Sequence, residues 1–274
     1  MNSLVGTFAE ELVDFISYYF GWLLNLFKDI LDLILDTLGI ILTYPGPALF
    51  ILVLIGISIL ITKRLILPIF IGIAFYVIYW MGYWDSSMVT LNMVLVSTAV
   101  AVMIAIPLGI WSANSEKANP VIKAIMDFMQ TMPAFVYLIP AVIFFGLGVV
   151  PGVIATVIFS MPPVVRLTNL GIRQVPPEMS EVADAFGSTK WQKLTKVQLP
   201  IAMPSIMAGI NQCIMLSLSM VVIAAMIGGG GLGGDIVYAL SRIDVAIGFE
   251  AGLAVVLIAV TLDRLTQAFK KGSE

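Results

Sequence analysis

The chain has 274 residues, of which 60% are hydrophobic and only 11% charged, with 14 Lys and Arg set against 17 Asp and Glu. Soluble domains carry roughly a quarter charged residues, so most of this chain is built for lipid, and its net charge of -3 excludes a nucleic-acid partner, which calls for a basic surface. Histidine is absent and Cys213 is the only cysteine, which excludes disulfides, thiolate clusters and histidine-based metal or acid–base sites. Cys213 itself lies in an apolar run and reads as a small buried thiol.

Residues 1–44 are expected to form an amphipathic helix. No Lys or Arg precedes Lys28, so the segment lacks the basic region of a secretory signal. Asn25, Asp29, Asp32 and Asp36 fall at helical spacing on one side, and Leu23, Phe27, Ile30, Ile34 and Leu38 on the other. Such a helix suits the membrane interface or packing against other helices, and the two are compatible.

A transmembrane helix needs about 20 apolar residues. Seven segments qualify or come close: 46–62, 65–81, 88–111, 124–147, 149–165, 203–227 and 249–268. The first two would form a peripheral pair within residues 45–85, and the rest a core unit over 86–268, with a tail over 269–274. Tyr44, Tyr79, Trp80, Tyr83, Trp84 and Trp111 sit near span ends as interface anchors. Seven spans place the termini on opposite sides of the membrane. Of the 14 Lys and Arg residues, all but Lys28 and Arg242 then share the side of the C-terminus. The positive-inside rule puts that side in the cytoplasm and the N-terminus outside.

Between the fifth and sixth spans lies a hydrophilic island, "PPEMSEVADAFGSTKWQKLTKVQLP", Pro176 to Pro200. Burying its six ionised groups at the centre of a bilayer, at roughly 2.5–3.5 kcal/mol each, costs on the order of 15–20 kcal/mol. The island therefore belongs in the cytoplasm. Pro176 and Pro177 signal a helix start, and Met179, Val182, Ala183 and Phe186 make one apolar stripe. Gly187 ends that helix. Thr189 and Gln192 form a capping box for a second short helix, which Pro200 closes. Two short amphipathic helices joined at a glycine form a compact docking element; a second reading has the stripe pack on the chain's own membrane helices.

Glu181-Val182-Ala183, then Gly187, then nine residues, then Val197-Gln198-Leu199-Pro200 resembles the cytoplasmic signature of ABC-importer permeases. That signature reads E-A-A, three residues, G, nine residues, I-x-L-P. "MDFMQTMPAFVYLIP" (Met126 to Pro140), "MPPVVRLTNLGIRQVP" and "AGINQCIMLSLSMVVIAAMIGGGGLG" narrow the likeness. Together, over about residues 80–270, they resemble permeases of glycine betaine, proline betaine, carnitine and choline importers. The resemblance implies a type I ABC-importer permease fold and a bacterial plasma-membrane location. It implies two copies of the permease forming one pathway by alternating access, in the service of osmoprotection. Two ATP-binding cassette subunits would bind ATP and Mg, so this chain would carry no cofactor and no ATPase site. Glu181, Ala183, Asp184, Ala185, Gly187, Leu199 and Pro200 would couple to those ATPases, with Glu181 as the anchoring acid and small residues permitting close approach. Some such permeases carry a fused binding domain after the last span. None follows here before Glu274, so the substrate-binding protein is expected to be a separate extracytoplasmic partner.

Other features carry weaker expectations. Gly228 to Gly234 contains G-x-G-x-x-G, but a membrane helix rather than a strand precedes it, so it reads as a sharp outer turn. By resemblance Gly230 and Gly231 are gate or binding-protein contacts. Pro107, Pro133, Pro140, Pro162 and Pro163 can each kink a span. Phe128, Phe135, Tyr137, Phe144 and Phe145 are candidates to line a pathway, because aromatic faces recognise quaternary ammonium groups, with packing and lipid contact as the competing roles; Met132, Pro133 and Met220 are further pathway or gate candidates. Asp127 and Asp263 read as local pairs with Lys123 and Arg264. The rival functions are a permease for an amino acid or methionine and, from other classes, a secondary carrier or an intramembrane enzyme.

Overall fold

The computed structural model describes residues 4–62 and 65–272, which form helices with no strand among them. In chain order these are α1 (Leu4–Thr43), α2 (Gly46–Thr62), α3 (Ile66–Trp80), α4 (Trp84–Asn114), α5 (Ala118–Thr131), α6 (Ala134–Phe145) and α7 (Val149–Arg173). There follow α8 (Pro177–Ala185), α9 (Lys190–Lys193), a wide π turn (Leu194–Gln198), α10 (Leu199–Ala225), α11 (Gly231–Arg242) and α12 (Val245–Gly272). Lys63, Arg64, Ser273 and Glu274 lie outside the described residues, as do the side chains of Lys270 and Lys271.

The core is the packing of α4, α7 and α10. Lipid offers no hydrophobic drive between helices, so close approach through small residues and polar contacts replaces it. A Cβ on Gly109 of α4 would fall 2.6 Å from the Cβ of Thr168 in α7, so only glycine permits that crossing. Between the three helices Thr98 donates to Ser217 at 3.4 Å and the Cys213 thiol to Ser160 at 3.4 Å. Cys213 is fully buried there.

The expected all-helical membrane bundle is present, but its spans differ in detail. Four runs are long and apolar enough to cross alone: α4, α7, the continuous Lys190–Ala225 run and α12. The pairs α1–α2 and α5–α6, bent by 94° and 98°, bring the number to six among the described residues. The seven expected spans counted 46–62 and 65–81 separately. Their helices have 17 and 15 residues, roughly 25 and 22 Å at 1.5 Å per residue, short of a core about 30 Å thick. The expected span 124–147 is likewise not one rod.

The structure also places the faces of α1, the prolines and the end of the second island helix. The packed stripe of α1 is Leu31, Leu35 and Leu42, with Leu24 and Leu38 beside it. Leu23, Phe27, Ile30 and Ile34, assigned to one apolar face, are exposed. Apolar residues ring most of this helix, so periodicity does not single out the side that α4 covers. Asn92 of α4 fixes the contact by donating to the Leu35 carbonyl at 2.8 Å. Among the five prolines singled out, only Pro133 stands at a break; Pro107, Pro140, Pro162 and Pro163 lie inside continuous helices. Finally, the second island helix does not close at Pro200. The π turn widens the spiral so that Leu199 N–H reaches the Leu194 carbonyl, and the chain passes through the proline into α10 without stopping.

Candidate functional site

The island folds into a hairpin whose turns are set by local chemistry. Pro176 and Pro177 open α8, and Pro177, lacking an N–H, occupies the first turn where that donor has no helical partner. At the other end Ser188 N–H donates to the Ala183 carbonyl at 3.0 Å and Gly187 N–H to that of Asp184 at 2.9 Å. This is the Schellman pattern, with Gly187 in the left-handed region at φ +73°. Thr189 accepts from Gln192 N–H at 3.2 Å while the Gln192 side chain accepts from Thr189 N–H at 2.9 Å, closing the expected capping box. Lys193 Nζ bridges both Asp184 oxygens at 2.8 Å and ties α9 to α8. The root is apolar: Leu194 and Leu199 pack against buried Ile172, Ala202 and Ile206.

Beyond that root the hairpin presents an uncovered apolar surface. Phe186 is 86% exposed and Trp191 71%, and Met179 and Val182 are also open. The stripe therefore does not fold back onto the chain's own membrane helices. Covering side chains of this size stabilises a contact by about 1.5–3 kcal/mol each, so a partner seated here has an ample driving force. Glu181, Asp184, Ala185, Gly187 and Pro200 are exposed and Leu199 half-buried. Ala183 is buried within the hairpin, leaving Ala185 and Gly187 as the small residues that face outward.

The second region is the elbow between α5 and α6. Proline disfavours a helical conformation in the residue before it, and Met132 is extended at φ -73°, ψ 134°. Thr131 Oγ1 takes up the Phe128 carbonyl at 2.9 Å, Val136 N–H donates to Pro133 at 2.9 Å, and the Tyr137 hydroxyl donates to the Met129 carbonyl. Tyr137 is thereby buried, its ring edge-on to Phe159, in a cluster with Leu138, Ala141, Ala155 and the fully buried Met220. Met132 packs at the edge of that cluster. Of the pathway candidates, then, Tyr137, Met132 and Met220 come together, while Phe128, Pro133 and Phe135 face outward.

Gly230 and Gly231 belong to neither region. They start α11, where Leu232 N–H donates to the buried Thr90 hydroxyl at 2.9 Å. A Cβ on Gly231 would come within 2.6 Å of that oxygen. Two residue sets escaped the sequence reading. One is α11, whose Leu232, Ile236 and Ala239 follow helical spacing but were overshadowed by the glycines. The other is the set of true partners of the two membrane carboxylates. Asp127 pairs with Arg166 of α7 rather than with Lys123. Asp263 accepts from Asn211 at 2.8 Å and from Gln267 at 2.8 and 2.9 Å, with Arg264 only at 3.9 Å. At Asp127 the tertiary neighbour replaces the residue nearby in sequence, whereas Asp263 keeps the local Arg264 and adds Gln267 and the distant Asn211.

Residues 105–273 match the family described as the binding-protein-dependent transport system inner membrane component. The chain belongs to that family. A glycine betaine/carnitine transport permease protein of Listeria monocytogenes is 50% identical over 270 residues, covering 97% of this chain and 95% of the relative. A glycine betaine transport system permease protein of Bacillus subtilis is 52% identical over 204 residues, covering 74% and 72%. Inward-facing crystal structures of a methionine ABC transporter superpose at a TM-score of 0.60 over 67% of this chain and 93% of theirs. At 18% identity that likeness speaks for the type I permease fold and not for the solute. As a member of the binding-protein-dependent transport family, the chain is a multi-pass membrane transport subunit.

Proposed function

We propose that this chain is the membrane-spanning half of a homodimeric, ATP-driven importer for a quaternary-amine compatible solute such as glycine betaine, carnitine or choline. The observation that carries the solute class is the 50% identity, along nearly the whole chain, to a glycine betaine/carnitine permease. Two ATPase subunits, holding ATP and Mg, seat the Phe186–Trp191 surface of the hairpin, with Glu181, Asp184, Ala185 and Gly187 at the contact. A separate extracytoplasmic binding protein delivers the solute. The hairpin and the C-terminus lie inside, on the side that gathers most of the Lys and Arg residues.

The continuity of α9, the π turn and α10 supports a lever mechanism. Closure of the ATPases displaces α8 and α9; because no loop intervenes, α10 moves with them and turns the pathway outward. Leu199 and Pro200 sit at the point where the lever enters the membrane, and hydrolysis returns it. Co-reconstitution with the ATPase and binding protein in proteoliposomes tests this. ATP-dependent uptake of radiolabelled glycine betaine is expected, and uptake of methionine or another amino acid in its place would overturn the solute class.

A further inference from the structure

The ion pair between Asp127 and Arg166 lies just below the elbow and is used by nothing described so far. Its two side chains are 52% and 40% exposed. Arg166 stands about 10 Å along α7 from the end at Arg173, and Asp127 about 13 Å along α5 from Ala118, at 1.5 Å per residue. Both ends adjoin the hairpin side of the bundle, so the pair sits at the depth of the inner acyl chains. Ionised groups open to hydrocarbon there cost roughly 2.5–3.5 kcal/mol each, and irregular backbone is tolerated at such depth only where protein or water covers it. Exposed charge and the exposed Thr131 and Pro133 of the turn therefore place this face on water or on the second copy, not on lipid.

The pairing is also incomplete. Arginine and a carboxylate ordinarily close as a two-pronged fork. Here one guanidinium nitrogen meets one carboxylate oxygen. Arg166 Nε is buried without an acceptor, and Asp127 Oδ2 has no hydrogen bond among the described residues. A positive and a negative group thus stand side by side, each with unused capacity.

We propose that Asp127 and Arg166 form a transient binding station for a zwitterionic solute in the inner half of the pathway. Arg166 takes the carboxylate through its Nη groups, the buried Nε N–H staying out of reach. Asp127 takes the quaternary ammonium, which has no N–H to donate and is held by charge. The solute exchanges with the ion pair's own contact, so neither charge is left bare and the site releases readily. This station rests on the quaternary-amine reading of the function.

The test uses the complete transporter in proteoliposomes, with Gln130→Cys as a reporter on the exposed face of α5 beside the pair. The unsubstituted chain, whose Cys213 is buried, is the blank. A water-borne methanethiosulfonate bearing a trimethylammonium group is expected to label the reporter, and saturating glycine betaine to slow labelling severalfold. Adding Asp127→Asn or Arg166→Gln is expected to abolish that protection and lower maximal uptake about tenfold, with half-saturation unchanged because the binding protein sets it. Arg166→Lys keeps the charge and the fold but not the planar donors, and is expected to fall between. No labelling, labelling that betaine does not slow, or protection that survives both neutralising substitutions would each overturn the station. Failure of the quaternary-amine reading shows separately, as absence of ATP-driven betaine uptake by the unsubstituted complex.

Discussion

The hairpin and the elbow are both places where a helix stops and the chain turns, but opposite materials hold them. The hairpin is closed by its own residues: a proline start, a Schellman end, a capping box and one ion pair, all within 25 residues of sequence. The elbow has local ties too, in Pro133 and in the bonds of Thr131, Val136 and Tyr137 to carbonyls within eight residues, but its cluster is completed by partners brought from elsewhere, such as Phe159 and Met220. A locally closed element keeps its shape while it moves as a unit, which suits a part gripped by a motor. An element closed by tertiary contacts changes shape when those contacts shift, which suits a gate.

The largest expected effect breaks the hairpin. Gly187 sits at φ +73° with open space around the position of a Cβ, so no neighbour blocks a side chain, but the backbone does. The left-handed conformation costs a residue with a side chain roughly 1–2 kcal/mol. Gly187→Leu is expected to abolish betaine uptake while membrane insertion and dimer assembly, followed by size-exclusion chromatography, stay intact. Gly187→Asn tolerates the same φ and so separates backbone strain from bulk at the docking surface. Partial uptake with asparagine would assign most of the loss to the turn.

Next comes the elbow. Pro133→Ala restores an N–H and removes the restriction on Met132, so α5 and α6 become free to approach a single rod. Uptake is expected to fall at least tenfold, and spin labels at Val121 and Ile143 to move apart in pulsed distance measurements. An unchanged distance would show that Tyr137 and its cluster hold the bend without the proline. A smaller effect is expected from Lys193→Ala, which cuts the link between α8 and α9. A partly exposed pair of this kind is worth about 0.2–1 kcal/mol. A two- to fivefold loss of transport per ATP is expected, and raised salt should reproduce part of that loss in the unsubstituted complex.

The same contrast explains what the sequence made legible. Thr189, Gln192, Gly187 and Pro177 act on neighbours within four residues, so their roles are readable without a structure. The lever is less so: Pro200 looks like a stop, and only the π turn before it shows how the helix passes through. Hydropathy over 124–147 cannot register the elbow, because α5 and α6 are both apolar enough to merge into one span. Nor does proline mark it, since Pro140 and Pro107 carry the same local signal and do not break their helices. Asp127 finds Arg166 across 39 positions, and nothing nearby in the chain announces it.

The smallest expected effect tests whether the outer side resembles the elbow in being held by distant partners. Tyr83 connects α3 to α4 on the side opposite the hairpin. Burial, and then the negative charges of Glu250, Asp235 and Asp244, push its hydroxyl above the ordinary tyrosine range. Because the folded chain holds that proton more tightly than the unfolded one, the stability it lends is fully present below pH ~10. It is lost as pH rises through the raised value, when a phenolate would face the Glu250 carboxylate. Tyr83→Phe removes the titrating hydroxyl and should flatten the alkaline limb of a thermal-stability profile while leaving neutral pH nearly unchanged. If the alkaline limb persists in Tyr83→Phe, the tie between α4 and α12 lies in packing, and the outer side is closed by shape alone.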